Sequence, residues 1–268
     1  MPDTLFNDDS MLRRVIGQKV VGLSGPRALL MQAAHPVAFA GFFAHTGALD
    51  DPYARLRRTA RVLHLIAFGS RSSAQRATRR VRALHRDVRG ELRAPAGSFP
   101  AGTPYAADDP KLLLWVLASL ADSAAIVYER YVASLSVAER EALWADYRVV
   151  GRQFGLRERD MPPDWEEFQA YVLDMVEGED LHVTDAAREL AVDIVMHPPV
   201  PVRFRPLVEL TNQITIGLLP APLRRAYGFR WDPVRAVATR GGAEYAKRLV
   251  VPLLPERMRL VPSARRAA

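Results

Sequence analysis

Two groups of residues in the stretch from Asp51 to Gly90, DPYARLRRTARVLHLIAFGSRSSAQRATRRVRALHRDVRG, have the types and spacing to do chemistry. Arg55, Arg58 and Thr59 fall at i, i+3 and i+4 and share one face of a helix. Arg82 and His85 fall at i and i+3 and share a face of the next helix. A cationic rim with one imidazole suits a buried anionic cofactor. Haem is one such group: its iron takes a single axial imidazole, its macrocycle fills the equatorial positions, and its propionates favour arginine. A lone histidine on a helix serves equally as a surface or satisfied core residue, so the pattern is compatible with haem without requiring it.

Much other chemistry is excluded. The chain of 268 residues has no cysteine, which removes disulfides, thiolate haem ligation, iron–sulfur clusters, Cys-type zinc sites and thioether-linked haem. Its six histidines are His35, His45, His64, His85, His182 and His197, and no pair has the i, i+4 spacing of a helical zinc site. HExxH, GxSxG, a phosphate-binding P-loop and a glycine-rich dinucleotide fingerprint are all absent. The charge is +7, and twelve arginines lie between Arg55 and Arg93 against only Asp87 and Glu91. That density reads as a solvated helix surface, as carboxylate or phosphate binding, or as an arginine-rich nucleic-acid surface.

The elements that must position these residues read as helices. Gly25-Pro26, Asp51-Pro52 and Asp109-Pro110 put proline at helix starts. Ser72 with Gln75, Ser136 with Glu139, and Asp164 with Glu167 fit capping boxes. Helices are expected over roughly 10–22, 26–45 (bent at Pro36), 52–68, 72–90, 110–134, 137–154, 165–177, 185–195, 204–218, 221–227 and 232–250. Strand signals are weak throughout. The fold class is therefore all-α, a multi-helix bundle. Segment 110–134 is apolar on nearly every side and should be central. Asp122 interrupts it, and a salt bridge to an arginine of the 51–90 helices is expected there. The Pro- and Gly-rich loop 92–108 is either a lid over a pocket or an ordinary surface loop. Phe39, Phe68 and Trp115 are pocket-lining candidates, with core packing the default for each. The tail 251–268 is expected to fray. The N-terminus, MPDTLFNDDSMLRR, has no apolar run, and the window 28–44 is interrupted by His35 and Pro36. A cytoplasmic protein with no stable membrane span is expected.

GPRALLMQAAHP, DPYARLRRTARVLHLIAFG, RRVRALHRDVRG, DDPKLLLWVLASLADSAAIVYERY and the later LTNQITIGLLPAPLRRAYGFRW together resemble the MpaB-type oxygenase family, which includes the rubber oxygenases. The resemblance runs over roughly residues 20–235. It implies a globin-like helical core that binds haem b (iron protoporphyrin IX) without a covalent link, in one domain over 25–250, between an N-terminal extension 1–24 and the tail. It implies His85 as the metal ligand, with Arg82 as companion, and Arg55, Arg58 and Thr59 as the RxxxT pattern at the cofactor. The rubber oxygenase has a lysine that can reach the iron where this chain has Arg58. Arginine stays protonated and cannot offer a neutral nitrogen, but it can donate hydrogen bonds to bound dioxygen or to a propionate. The rubber oxygenase also uses a glutamate as acid/base. No glutamate occurs between Gly25 and Asp50, and His35 is the nearest polar candidate.

The expectation is a haem-dependent oxygenase acting on an apolar, alkene- or prenyl-containing (isoprenoid) substrate with dioxygen or peroxide. His35, Arg58 and Thr59 would be its catalytic residues. A haem-binding or haem-sensing protein without turnover is the alternative. An arginine-rich nucleic-acid binder ranks below both, and nucleic acid is not an expected partner.

Overall fold

The computed structural model describes residues 3–44 and 52–266, the side chains of 42–44, 52–56, 190 and 266 excepted. The described chain is 70% helix and 5% strand, so the all-α reading holds. The helices are α1 (Met11–Ile16), α2 (Ser24–Ala33), α3 (Pro36–Ala44), α4 (Pro52–Phe68), α5 (Arg71–Asp87), α6 (Pro110–Tyr131), α7 (Val137–Phe154), α8 (Trp165–Glu177), α9 (Asp185–Met196), α10 (Arg205–Leu218), α11 (Ala221–Ala226), α12 (Pro233–Tyr245), α13 (Val251–Leu253) and α14 (Glu256–Arg259). Two short strands, β1 (Arg89–Glu91) and β2 (Pro104–Ala106), pair antiparallel with Gly90 opposite Tyr105.

Helix α6 is the axis of the core. Trp115, Ala118, Ala121 and Val127 are fully buried, and α2, α7, α8 and α12 pack around the helix. Helix α2 runs antiparallel to it, because Gln32 Nε2 donates to Ser119 Oγ at 2.8 Å while Arg27 Nη1 donates to Ser123 Oγ at 2.6 Å. Among the described residues α6 is the one helix long and apolar enough to cross a membrane by length and composition, and 67% of its most apolar window is buried inside the molecule. Phe6, Met11, Leu12, Val15 and Val21 belong to the same core.

Local chemistry explains most helix ends. Ser136 Oγ accepts from Glu139 N while Glu139 Oε2 accepts from Ser136 N, the reciprocal box expected. Asp109 accepts from Lys111 N ahead of Pro110. Asp164 accepts from Glu167 N. The cap of α5 is Ser70, which accepts from Ser73 N, so the expected Ser72–Gln75 box is displaced by two residues. The expected helix 26–45 is two helices rather than one bent helix. Pro36 has no N–H for the carbonyl of Gln32, and His35 N takes that carbonyl instead at 3.2 Å.

The C-terminal segment is ordered rather than frayed. Val261 N donates to Gly17 O, Lys19 Nζ donates to Arg257 O, and His64 Nε2 meets Ser263 Oγ. The expected partner of Asp122 is also corrected. Its carboxylate pairs with Arg27 of α2, Nη2 to Oδ2 2.8 Å, and not with an arginine of the 51–90 helices. Helix α2 lies directly against α6, whereas α5 packs on α7.

Candidate functional site

Helices α4 and α5 are joined through Gly69 and Ser70 and pack on each other as a hairpin, so the first half of α4 runs beside the last half of α5. This places the Arg58–Thr59 turn on the same end of the hairpin as Arg82 and His85. Arg58 and Thr59 are exposed there, and the side chain of Arg55 lies outside the described residues, as does all of His45.

Arg82 and His85 come together in an open cleft of about 170 Å³, which they line with Arg86, Asp108, Leu113, Phe154 and Gly155. Three elements meet: the last turn of α5, the C-terminal end of α7, and the chain entering α6. His85 is partly buried, and Leu113 and Phe154 supply an apolar wall. Gly155 ends α7 in the left-handed region at φ 107°, and a side chain built on it would stand 3.4 Å from the Arg82 guanidinium. The glycine is required by this backbone conformation; toward Arg82 a Cβ would make only an ordinary contact. Arg58 and Thr59 are not in this lining. The other five lining residues, Arg86, Asp108, Leu113, Phe154 and Gly155, are not singled out by the residue pattern. The one local signal was the Phe154-Gly155 helix stop.

His35 sits elsewhere. It is buried at the junction of α2 and α3, where its Nδ1 faces Ala38 N at 3.5 Å and so caps α3. Its ring stacks on Phe99, centroids 5.4 Å apart. Phe99 comes from the 92–108 loop, which β1 and β2 pinch together and which seats on Val37 through Leu92 and Tyr105. The loop therefore covers His35, while its two ends lie beside the His85 cavity: β1 follows α5, and β2 leads to Asp108. Trp115 is wholly inside the main core, and Phe39 and Phe68 pack against it, so packing accounts for all three.

Burial, opposed by Asp180 and Asp109, lowers the pKa of His35 from its ordinary 6.5. The unfolded chain therefore takes up the proton first as pH falls. The stability contributed by the neutral ring is complete above the ordinary value of 6.5 and is lost as pH drops through it toward the lower folded value. His35→Gln keeps a cap acceptor and cannot titrate. Denaturant titrations between about pH 7 and about pH 5 should show wild type losing stability more steeply than this variant, and parallel curves would refute the assignment.

Among the described residues no group of three or more His, Asp or Glu is placed to hold a metal ion. A cofactor that brings its own equatorial ligands needs only one. The site thus offers an imidazole, two guanidinium groups, the Asp108 carboxylate, which Arg89 pairs at 2.8 Å, and an apolar wall.

The family model described as "ER-bound oxygenase mpaB/B'/Rubber oxygenase, catalytic domain" matches residues 13–251. Two curated relatives, an uncharacterized protein of Mycobacterium bovis and an uncharacterized protein of Mycobacterium tuberculosis, are each 28% identical over 190 residues, which is 71% of this chain. The matched region is 62% of the length of each relative. No solved structure matches the chain. With 13–251 covering nearly all of it, the chain belongs to the MpaB and rubber oxygenase catalytic-domain family.

Proposed function

We propose that the chain is a haem b-dependent oxygenase of an apolar, alkene- or prenyl-containing small molecule, built on a globin-like helical core. The observation that carries the reading is the His85 cavity in a chain of an oxygenase family. Its donor set suits haem. His85 would hold the iron through a neutral ring nitrogen, and Arg82 and Arg86 would take the propionates as charge-assisted partners. Leu113 and Phe154 would cover the edge of the macrocycle and keep water from it. The space that a side chain at Gly155 would fill stays open beside Arg82. When bound, haem supplies the activation of dioxygen or peroxide.

The other groups bind, orient and move protons. The Arg58 guanidinium donates hydrogen bonds and accepts none. Thr59 adds a hydroxyl on the same turn, and Arg55 precedes both by one turn. His35 is held neutral by burial, and with Nδ1 accepting from Ala38 N its other ring nitrogen carries the proton and is a donor at the apolar site under Phe99.

The test is an absorption spectrum with pyridine-haemochrome identification, then dioxygen uptake coupled to oxidation of an added isoprenoid. The expected result is a Soret band near roughly 400 nm and uptake in step with isoprenoid loss. A protein that refuses added haem ends the proposal. Haem binding without uptake favours the non-catalytic alternative, which the arginine at 58 and the lack of a glutamate between Gly25 and Asp50 support.

A further inference from the structure

The last quarter of the chain is patterned inside out. From Pro233 to Leu253 the chain is helical throughout: α12, a π-helical stretch over Ala246–Val250, and α13. Pro252 has no N–H for the carbonyl of Arg248, and the helix widens just before it. The inner side of this rod is made of small groups, Ala236, Thr239, Ala243 and Ala246, which allow α12 to sit close to α6 and α10. Its large apolar residues face outward. Val234 is 78% exposed, Val237 72% and Leu253 81%, and Tyr245, Leu249 and Leu253 follow one another at one-turn spacing. The neighbouring helix α10 begins in the same way, with Leu207 and Leu210 exposed and Val202 and Phe204 exposed just before it. Of the fifteen exposed large apolar residues among those described, twelve lie between Val200 and Met258. A soluble monomer does not ordinarily cluster them so.

Charge is concentrated in the same place. Residues 200–268 carry 13 Lys and Arg against four Asp and Glu, a balance of +9, whereas residues 1–199 carry 24 against 26. The whole positive excess of the chain therefore sits on the segment that exposes the apolar side chains. Arg235, Arg240 and Arg248 are exposed beside the outward row of the rod, Arg235 paired with Asp232 and Arg248 with Glu244 along the surface.

We propose that this face docks onto an anionic lipid bilayer. The rod would lie in the plane of the interface with its outward valines and leucines among the acyl chains. The flanking arginines would reach up to the headgroups along their own apolar stems. Charge separates this occupant from a second copy of the chain, because two such faces brought together would oppose arginine to arginine. It separates it from nucleic acid as well, since a phosphate backbone gains nothing from aliphatic side chains. Docking of this kind needs no cofactor and stands apart from the proposed reaction.

The test is co-sedimentation of the full chain with two kinds of vesicle, phosphatidylcholine alone and phosphatidylcholine with about 30 mol% phosphatidylglycerol. Binding should be at least about tenfold tighter to the anionic vesicles and should weaken with salt. Leu249→Ser with Leu253→Ser should lower it at least about tenfold at every salt concentration, and Arg235→Glu with Arg240→Glu should do so at low salt. Leu173→Ser, an exposed leucine on α8, should change nothing. All five sites are on the surface, so circular dichroism should be unaltered, and Val234→Ser with Val237→Ser reads the same face if the leucine pair fails to fold. The proposal is overturned by an absence of binding to anionic vesicles, or by binding that neither the apolar nor the charge variants reduce. It is also overturned by a dimer in solution that the leucine variants dissociate while vesicle binding is unchanged, or by equal capture on an acidic polypeptide that ignores the leucines.

Discussion

Asp122→Ala is expected to destabilise the fold by about 3–5 kcal/mol, the largest stability loss from any single substitution outside the hydrophobic core. Asp122 is 4% exposed and Arg27 is 2% exposed, so neither charge has water to fall back on. The guanidinium is held on three sides: Nε donates to Leu218 O at 2.8 Å, Nη1 to Ser123 Oγ at 2.6 Å, and Nη2 stands 2.8 Å from Asp122 Oδ2. That last approach is an ion pair without a hydrogen bond at Oδ2, while Gln169 Nε2 reaches Oδ1 at 3.5 Å. Removing the carboxylate leaves a buried cation with two neutral acceptors. Arg27→Ala leaves a buried carboxylate with one long hydrogen bond, and it also frees the carbonyl of Leu218 at the end of α10, so it should cost about as much. The pair itself need not be stabilising relative to apolar groups. Arg27→Met with Asp122→Leu should recover most of the loss, because desolvation of both ions is then avoided. Thermal unfolding followed by circular dichroism checks this. A fall of roughly 10 °C for each single variant and a smaller one for the double is the expected pattern. Single variants within about 1 kcal/mol of wild type would mean that water reaches the pair.

This pair also marks where reading the residues in order stops working. The helices were legible because their signals are local. Asp109-Pro110 starts α6 and Ser136 with Glu139 starts α7, each within four residues of chain. Asp122 was equally visible as a carboxylate in an apolar helix, but its partner lies 95 residues away on α2, and spacing along the chain does not rank one arginine above another at that distance. The short β1–β2 pair escaped for a different reason. Arg89-Gly90-Glu91 has no apolar alternation, and its pairing depends on Tyr105 lying across Gly90, where any side chain would collide with the phenol. The Arg82–His85 spacing did predict two neighbours in one cavity. The wall opposite them, Leu113, Phe154 and Gly155, comes from α6 and α7, and only packing could bring it there. His35 was read from its position alone, and its cap on α3 and its stack on Phe99 follow from the break at Pro36, which the residues announced but whose completeness they did not.

His85→Ala is expected to abolish haem uptake. A protein that holds haem without a covalent bond has one strong attachment, the axial nitrogen, and the arginines supply weaker, salt-sensitive ones. Losing a group that merely orients a metal ligand costs about 10–100-fold in affinity, so losing the ligand should cost more than about 100-fold. Titration of the variant with haem should give no Soret band above that of free haem, and isoprenoid-coupled dioxygen uptake should fall to the level of haem alone. The fold should survive, because His85 is only partly buried near the end of α5 and the helix is capped at its other end by Ser70. Far-UV circular dichroism and the unfolding midpoint should therefore match wild type. Free imidazole supplies the missing nitrogen to the space the side chain leaves, so millimolar imidazole should restore the band in His85→Ala and do little in wild type. Arg82→Ala should retain the band and weaken haem binding by about tenfold, with a steeper loss at low salt than at high, since its contribution is electrostatic. His35→Gln should leave haem binding intact, because its ring faces Phe99 and α3 instead of the cavity. A His85→Ala protein that binds haem with undiminished affinity would move the ligand to another histidine and separate the Arg82–His85 cavity from the cofactor altogether.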